Sequence, residues 1–321
     1  MPTTQNASSQ PLISFIVTTY NLPVDMLQEC LKSIMTLTLR PEEREIIIID
    51  DGSEMSPVND LADLWDSVIY LRQPNAGLSV ARNMGLRLAQ GRYIQFVDGD
   101  DRLLTTPYNQ CLDMIRYQQN LDMMLFRSSQ KEEPSELCLP QGPVSGIAYM
   151  HQNNLRAAVW GYIFRASLLG SLCFTPGLLH EDEDFTPQLM LRAEHVWYTD
   201  AVAYYYRPRE GSITMDASKR NIARRLDDTL SIILHLNDIA LHSPEIDRVA
   251  LNRRVAQLSM DYLYNTIALT HSHRHLMDNI RRLREKGLFP LPDKRYTKKY
   301  VAFRKLINTA IGRRILEVVI K

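Results

Sequence analysis

The chain has 321 residues, of which 45% are hydrophobic and 23% are charged, and it carries no net charge. A chain of this length can bury a full core and has room for one large domain or two. The composition is that of an ordinary globular protein. No apolar run approaches the length needed to cross a bilayer, which argues against an integral membrane protein.

The N-terminus, Met1 to Gln10, is polar and lacks positive charge, so it does not have the pattern of a signal peptide. We expect residues 1–11 to be disordered. Three of the four cysteines, Cys30, Cys111 and Cys173, lie in apolar surroundings and are predicted to be small buried side chains in a reducing compartment. We therefore predict that the protein is cytoplasmic, or attached to a membrane from the cytoplasmic side.

Strands alternate with helices over the first hundred residues, which predicts an α/β sheet. The run of four isoleucines inside Glu45–Asp50 is typical of a strand that is buried on both faces. Ligands of such sheets bind at the carboxyl ends of the strands. In chain order, the pattern predicts the strand Ile13–Thr19, the helix Met26–Met35, the strands Glu45–Asp50 and Val68–Leu71, the helix Leu78–Ala89 and the strand Tyr93–Val97.

The second half is mixed and then helical. A strand is predicted at Leu121–Arg127, a loop at Lys131–Gly146, and two strands flanking a turn at His195–Thr199 and Val202–Arg207. The predicted helices are Ile222–Leu241, Ile246–Leu269, Leu276–Lys286 and a last one over Thr297–Ile320. We predict an α/β domain over residues 12–215 and a helical C-terminal region over residues 216–321.

Residues 274–321 contain 14 Lys and Arg against 4 Asp and Glu, so a basic tail follows an acidic body. Such a tail suggests an anionic partner, either lipid headgroups or a polyanion, although a solvated helical face is an equal alternative. The last predicted helix places several apolar residues near one face, which predicts peripheral membrane contact, with packing against the α/β domain as the alternative. These residues are Tyr300, Phe303, Ile307, Ile311 and Ile315.

Acidic clusters follow two of the predicted strands. The residues Asp50-Asp51-Gly52-Ser53 are of types that favour a turn, which is one explanation of the cluster. A carboxylate at this position can also accept hydrogen bonds from a nucleobase or ribose. Asp98-Gly99-Asp100-Asp101 brings together three carboxylates that repel one another unless a cation or basic groups offset them. Hard divalent ions are commonly held by one or two carboxylates together with substrate phosphates. We therefore favour a metal site over an acidic turn.

A third cluster, His180-Glu181-Asp182-Glu183-Asp184, precedes a predicted helix. Acidic residues in a first helical turn are favoured by the helix dipole, which is a purely structural explanation. The functional explanation is a general base for an acceptor hydroxyl.

With these clusters in view, residues 11–215 resemble the inverting family 2 glycosyltransferases, bacterial polysaccharide-type enzymes with the GT-A fold. Several motifs occur in the family's order. They are Ser14 to Asn21, Ile49-Asp50-Asp51-Gly52-Ser53, Asn75-Ala76-Gly77 with Ala81-Arg82-Asn83, Asp98-Gly99-Asp100, Glu181-Asp182, and Tyr205-Tyr206-Arg207 to Gly211-Ser212. The resemblance implies a mostly parallel, Rossmann-related sheet flanked by helices, with the helical region as an extension.

The resemblance also implies roles. Asp100, helped by Asp98, would bind Mn²⁺ or Mg²⁺, and Asp182 would be the general base, with Glu181 as the other choice. Tyr20 and one of Asp50 or Asp51 would hold the nucleobase, and Arg207 and Arg209 are candidates for the diphosphate. The full set of implied nucleotide-binding residues is Thr19, Tyr20, Asp50, Asp51, Asn75, Arg82, Asp98, Arg207 and Arg209.

The predicted function is transfer of a sugar from a nucleoside-diphosphate donor, UDP-linked by preference, to a hydroxyl of a glycan or a lipid-linked acceptor. The Q-x-x-R-W segment of processive synthases is absent, which favours single addition over polymerisation. No nucleic-acid partner is predicted. Two alternatives stay open: a non-catalytic nucleotide- or sugar-binding module, and a nucleotidyltransferase, although the latter normally has a Gly-rich loop after its first strand.

Overall fold

The computed structural model describes residues 10–131, 138–209 and 218–320. It forms two compact units. The first, called the α/β unit, comprises residues up to 146, 156–177 and 188–208. The second, called the helical unit, comprises 147–155, 178–187 and the residues from 209 onward. The predicted disordered segment therefore lies largely outside the described residues.

A single mixed sheet forms the centre of the α/β unit, in the strand order β3-β2-β1-β4-β8-β6-β9-β5, with β7 paired to β9. The pairs among β3, β2, β1 and β4 are parallel, and antiparallel pairs enter from β8 onward. The strands are β1 (Ile13–Thr19), β2 (Arg44–Asp50), β3 (Ile69–Arg72), β4 (Tyr93–Asp98), β5 (Arg102–Leu103), β6 (Met123–Ser129), β7 (Gln141–Val144), β8 (Tyr162–Arg165) and β9 (Val196–Tyr205).

The helices of the α/β unit are α1 (Val24–Met35), α2 (Leu78–Leu88) and α3 (Thr105–Tyr117). The apolar side chains of α1 and α3 join one face of the sheet in a large buried cluster. Helix α2 packs on the other face, where Ala81 lies against Ile47 and Ile49. Because β1 and β2 have helices on both faces, they are buried at nearly every position, as the isoleucine run predicted.

Three expectations for the α/β unit are wrong in detail. The two strands expected around a turn near residue 200 are one strand, β9, whose pairing with β6 shifts register between Leu125 and Arg127. The expected turn is therefore an irregularity within a continuous strand. The loop expected over Lys131–Gly146 contains β7. Cys30 and Cys111 are buried as predicted, but Cys173 is exposed because its neighbour Phe174 takes the buried position.

The helical unit is built around two long helices that are consecutive in the chain and pack against each other, α6 (Lys219–His242) and α7 (Glu245–Thr270). They are followed by α8 (His273–Glu285). Helix α4 (Gly146–Gln152) contributes most of its length to this unit. Helix α5 (Glu181–Met190) begins in it, and the acidic cluster forms the first turn of that helix. None of the helices in the described ranges is both long and apolar enough to cross a membrane.

The single last helix expected over Thr297–Ile320 is wrong: the chain forms α9 (Lys298–Ile307) and α10 (Ala310–Val319). Thr309 begins the second helix by accepting a hydrogen bond from Gly312 N at 3.0 Å. The break separates the expected apolar face into two. Tyr300, Phe303 and Ile307 are buried, whereas Ile311 and Ile315 are exposed.

Candidate nucleotide site and acidic helix

The carboxyl ends of β1, β2 and β4 meet at one edge of the sheet. Thr18 is paired in register with Asp98, and Thr19 with Asp50. Thr18 O accepts a hydrogen bond from Gly99 N at 3.1 Å, which continues the pairing into the acidic turn. A Cβ on Gly99 would lie 2.9 Å from that same oxygen, so the close approach requires glycine. The sheet register thus brings two of the predicted acidic clusters together.

Asp50 is fully buried and has several donors within the protein. Its Oδ1 accepts from Ser53 N at 2.8 Å, and its Oδ2 accepts from the Tyr70 hydroxyl at 2.7 Å. The Arg72 guanidinium lies 3.5 Å from Oδ2. These contacts fix the turn over 50–53, in which Gly52 has a φ of +79°. The buried Asp50 carboxylate therefore stabilises the turn through these hydrogen bonds.

Asp51 is buried as well, and its carboxylate accepts four hydrogen bonds from the segment 73–77, which leads into α2. The donors are Gln73 Nε2 at 2.7 Å, Ala76 N at 2.9 Å, Gly77 N at 2.8 Å and Asn75 Nδ2 at 3.2 Å. The predicted nucleotide residue Asn75 thus takes part in holding this segment. Because it accepts four hydrogen bonds, the Asp51 carboxylate fixes the conformation of the segment 73–77.

Tyr20 is the exposed aromatic side chain at this edge, with 49% of its surface accessible, while Thr19 beside it is buried. The next residue, Asn21, has a left-handed backbone with a φ of 46°. It is held from both sides: its N–H donates to Ser53 Oγ at 2.9 Å, and its Oδ1 accepts from Glu54 N at 2.8 Å. Tyr20 is therefore an accessible ring on a fixed backbone.

Arg82 holds Asp98. Its Nη2 lies 3.0 Å from Asp98 Oδ1, and its side chain is 4% exposed. The guanidinium lies over the rings of Phe96 and Phe174, at 5.8 and 5.6 Å from the centroids. Asn83 fixes the backbone of Phe174 through two hydrogen bonds of 2.8 Å. The Ala-Arg-Asn motif thus places one buried cation behind the acidic turn.

A second set of contacts holds the same turn from β9. Asp101 is 1% exposed and accepts hydrogen bonds from the Tyr204 hydroxyl at 2.7 Å and from Arg207 N at 2.8 Å. The Tyr204 oxygen in turn accepts from Asp98 N at 3.1 Å. Burial raises the pKa of Asp101 to about 8, and the negative charge of Asp98 adds to this. The third carboxylate of the cluster therefore faces the interior.

Arg207 completes this arrangement. Its Nε donates to Asp100 O at 2.9 Å, and its Nη2 lies 2.5 Å from Glu29 Oε2 on α1. The Glu29 carboxylate raises the pKa of Arg207, and Arg207 lowers the pKa of Glu29, as expected for a close ion pair. Asp98 and Asp100 are partly exposed, in contrast to Asp101. We call Asp101, Tyr204, Arg207 and Glu29 the clamp.

The first turn of the acidic helix belongs to the helical unit. In its first turn Glu181 is 7% exposed, whereas Asp182 is half-buried. Glu183 forms an ion pair with Arg254, and Asp184 Oδ1 lies 2.6 Å from His235 Nδ1. Arg209, the other predicted diphosphate residue, is half-buried and also belongs to this unit.

The structure thus gathers most of the predicted site residues in the α/β unit and leaves Glu181, Asp182 and Arg209 in the helical unit. Sequence reasoning missed Glu29 and Tyr204. Tyr204 directly precedes the Tyr205-Tyr206-Arg207 motif, and this position in the sequence was a usable signal. Glu29 is one of several polar residues on α1 and carries no such signal.

Comparison with known proteins adds independent information. The sequence pattern of the family described as Glycosyl transferase family 2 matches residues 14–128. An uncharacterised glycosyltransferase of Bacillus subtilis, EpsJ, is 31% identical over 221 residues, which cover 64% of this chain and 63% of that protein. Over residues 14–128 the chain is therefore similar to the family 2 glycosyltransferases. The glycosyltransferase GlyA of Streptococcus pneumoniae is 30% identical over 63% of this chain.

The matched segments span 63% of the length of EpsJ and 31% of the length of GlyA, so these relatives contain further sequence. Solved structures agree on the fold. S. aureus TarS, in a complex with UDP-GlcNAc, matches 86% of this chain and 92% of its own with a TM-score of 0.61 and 19% identity. A Pyrobaculum calidifontis mannosyltransferase, solved with GDP-Man and Mn²⁺, matches 97% of this chain and 86% of its own with a TM-score of 0.57 and 14% identity. The predicted GT-A fold is thereby confirmed.

Proposed function

We propose that this protein transfers a sugar from a nucleoside-diphosphate donor to a hydroxyl of a glycan or lipid-linked acceptor, with inversion at the anomeric carbon. The observation that carries the proposal is the turn Asp98-Gly99-Asp100, which Arg82 and the clamp hold at the carboxyl edge of the sheet. The match of residues 14–128 to the family 2 glycosyltransferases supports it. The presence of UDP-GlcNAc in the TarS structure supports a UDP-linked donor.

For the nucleotide, we assign the accessible Tyr20 ring to the nucleobase, since an aromatic face suits stacking on a base. Thr19, Asn75 and Arg82 would shape the pocket around it. Asp50 and Asp51 are buried and hydrogen-bonded within the protein, so their part in binding is to hold the loops that form the pocket. Arg207 and Arg209 remain our candidates for the diphosphate, since a guanidinium matches phosphate oxygens.

The residues present fit a divalent ion that is completed by its substrate. Across residues 10–131, 138–209 and 218–320, no three His, Cys, Asp or Glu side chains converge on one point. Asp98 and Asp100 are partly exposed and offer two carboxylates, and Mg²⁺ or Mn²⁺ is commonly held by one or two carboxylates plus substrate phosphates. When bound there, the ion would offset the negative charge on the departing diphosphate.

Asp182 is our candidate for the general base. It is more accessible than Glu181, and it would remove the proton from the acceptor hydroxyl as that oxygen attacks the anomeric carbon. Glycosidases need a second carboxyl to protonate a poor leaving group, whereas a diphosphate leaves as an anion. One base on the face opposite the leaving group therefore suffices, and inversion follows.

We propose further that α10 rests on an anionic membrane, near which a lipid-linked acceptor would be found. Its outward face carries exposed aliphatic side chains beside the exposed Arg314: Ile311 is 78% exposed, Val318 68% and Val319 73%. The segment 274–321 around it is strongly basic. An anionic lipid surface offers both an apolar layer and negative charge, whereas a second copy of this chain would bring a second basic tail and repel it. Attachment to the cytoplasmic face stays a prediction.

Binding of a ligand to the folded protein raises the melting temperature. We expect one of UDP, GDP, dTDP and CMP, by preference UDP, to raise it in the presence of Mn²⁺ and to raise it less without the metal. Saturation at 100 times the Kd would stabilise the protein by about 2.7 kcal/mol. Asp100→Ala should abolish the metal-dependent part, and Asp113→Ala, an exposed acid on α3, should not.

The same preparation separates an enzyme from a binding module. Asp182→Asn should keep the metal-dependent melting shift and lose transfer by about 10²- to 10⁴-fold, the usual contribution of a general base. Transfer at the wild-type rate would remove Asp182 from its role. No melting shift with any nucleotide would contradict the donor site itself.

A further inference from the structure

Helix α7 carries two adjacent arginines, Arg253 and Arg254, at positions that are buried. Placing a guanidinium out of water is costly unless charged or hydrogen-bonding partners surround it. Burial lowers the pKa of Arg254 to about 10, and the nearby carboxylates of Asp261 and Asp182 oppose this, so the group stays protonated at neutral pH. A buried cation therefore lies beside the acidic helix within the helical unit.

The contacts of Arg254 join three segments. Its Nη1 donates to Leu155 O at 3.1 Å, and its Nη2 forms the ion pair with Glu183 in the first turn of α5. Glu183 directly follows Asp182, and Glu183 N donates to Asp182 Oδ1 at 2.9 Å. Movement of the Glu183 side chain and backbone would therefore displace the Asp182 carboxylate.

Two further anchors lie on either side of Asp182. Asp184 is 5% exposed and contacts His235 on α6 at 2.6 Å. Leu179 N donates to Asp228 Oδ2, also on α6, at 3.0 Å. The first turn of α5 is thus attached to both long helices of this unit, and Arg254 supplies the attachment to α7.

We propose that Arg254 is a positioning residue for the base of the transfer reaction, which it serves by fixing Glu183 and by presenting a buried positive charge next to Asp182. This inference rests on the proposed role of Asp182. The contacts of Arg254 with Glu183 and Leu155 lie within the helical unit, so its removal should affect the proton-accepting step and leave donor binding intact.

Arg253 offers a matched control one residue away. It is equally buried, but its guanidinium contacts His151 O, Asn154 and the Tyr296 ring, all of which lie outside the acidic cluster. Arg253→Met and Arg254→Met each remove one buried cation from the same helix. Both should lower the melting temperature. Only Arg254→Met should also lower kcat, by about 10- to 100-fold, as misplacement of a reacting group by about 1 Å does, with an unchanged donor KM.

A double variant separates positioning from simple charge balance. Arg254→Met leaves Glu183 without its cation, whereas Glu183→Gln/Arg254→Met removes both charges and should recover melting temperature. We expect kcat to stay low in the double variant and to rise partly in Arg254→Lys, which keeps the positive charge. Recovery of kcat in the double variant to the level of Arg253→Met would overturn the proposal.

Failure of the proposed function gives a different result. If Asp182→Asn transfers sugar at the wild-type rate, the base is misassigned and the role of Arg254 falls with it. If Asp182→Asn is inactive while Arg254→Met is as active as Arg253→Met, the positioning role alone is wrong.

Discussion

The acidic residues at the edge of the sheet differ in what their carboxylates contact, although they are chemically alike. Asp51 and Asp101 are buried and accept hydrogen bonds from backbone N–H groups of distant segments. Asp98 and Asp100, which belong to the same turn as Asp101, are partly exposed. Buried carboxylates stabilise the loops only while their donors are present, and removal of one donor leaves a buried group unsatisfied.

The Tyr204 hydroxyl is such a donor, and it also accepts from Asp98 N. Tyr204→Phe should therefore lower the free energy of unfolding by about 1 to 3 kcal/mol, the usual cost of an unsatisfied buried group. It should also reduce the Mn²⁺-dependent melting shift with the diphosphate, because the turn that carries Asp98 loosens. Urea unfolding and thermal shift measure the two effects.

Tyr205→Phe is the control for this change. The Tyr205 ring lies under the Arg102 guanidinium at 4.9 Å, and that contact does not need the hydroxyl. Equal unfolding free energies for the two variants would show that the Tyr204 hydroxyl has no part in holding the turn.

Motif positions could be predicted from the sequence at this scale, but their partners could not. The Asp-x-Asp turn was expected at the end of a strand, and it begins at Asp98, the last residue of β4. Nothing in the local pattern indicates that Arg207 would meet Glu29, because these residues are 178 positions apart. Contacts of this kind depend on tertiary packing. The assignments of individual site residues accordingly remain predictions that the variants above test.

At the scale of elements, continuous apolar strands and strongly periodic helices were predicted well, whereas β7 and the interruption of the last helix were missed. The isoleucine strand and the long helices α6 and α7 fall close to their expected bounds. The break between α9 and α10 was missed, since a Thr that begins a helix also fits within one. That break turns the aliphatic face of α10 away from the buried face of α9.

The outward face of α10 can be tested with vesicles. Changing Ile311, Ile315 and Val318 together to Ser should weaken co-sedimentation with phosphatidylglycerol-containing vesicles at least about tenfold. Burial of one aliphatic side chain contributes about 1.5 to 3 kcal/mol, and 1.4 kcal/mol corresponds to a factor of ten. Pure phosphatidylcholine vesicles should bind the wild type weakly.

Leu241→Ser is the control, because Leu241 is 64% exposed in the same unit but lies at the end of α6. Unchanged vesicle binding in the triple variant would contradict the membrane surface. A dimer in light scattering that the triple variant loses would assign the face to a second copy of the chain instead.

At the scale of the molecule, the two units are not separated by one cut in the sequence. Segments 147–155 and 178–187 precede the expected boundary at residue 215, yet they belong to the helical unit. Arg254 and Gln257 on α7 bind Leu155 O and Asn154 across about a hundred residues of chain. Composition and periodicity along the chain indicate where helices begin, but they do not show which earlier segments return to them.

A chain that ends at residue 215 should therefore fold poorly. Phe185 and Met150, which are 1% and 2% exposed in the complete chain, would lose the helices of their unit. We expect a lower melting temperature and aggregation, and partial recovery when residues 216–321 are supplied as a separate fragment. A truncated chain that melts at the full-length temperature would support an independent domain over residues 12–215.

The two hydrogen-bonded carboxylates of the second strand end have a consequence for how donor preference could change during evolution. The Asp50 and Asp51 carboxylates accept hydrogen bonds that hold the loops. Substitutions there would therefore destabilise the loops before they altered the selectivity for a nucleotide. The Tyr20 side chain, in contrast, is 49% exposed. Preference for one nucleotide over another could therefore drift, or be engineered, through a few surface substitutions while the buried signature stays the same.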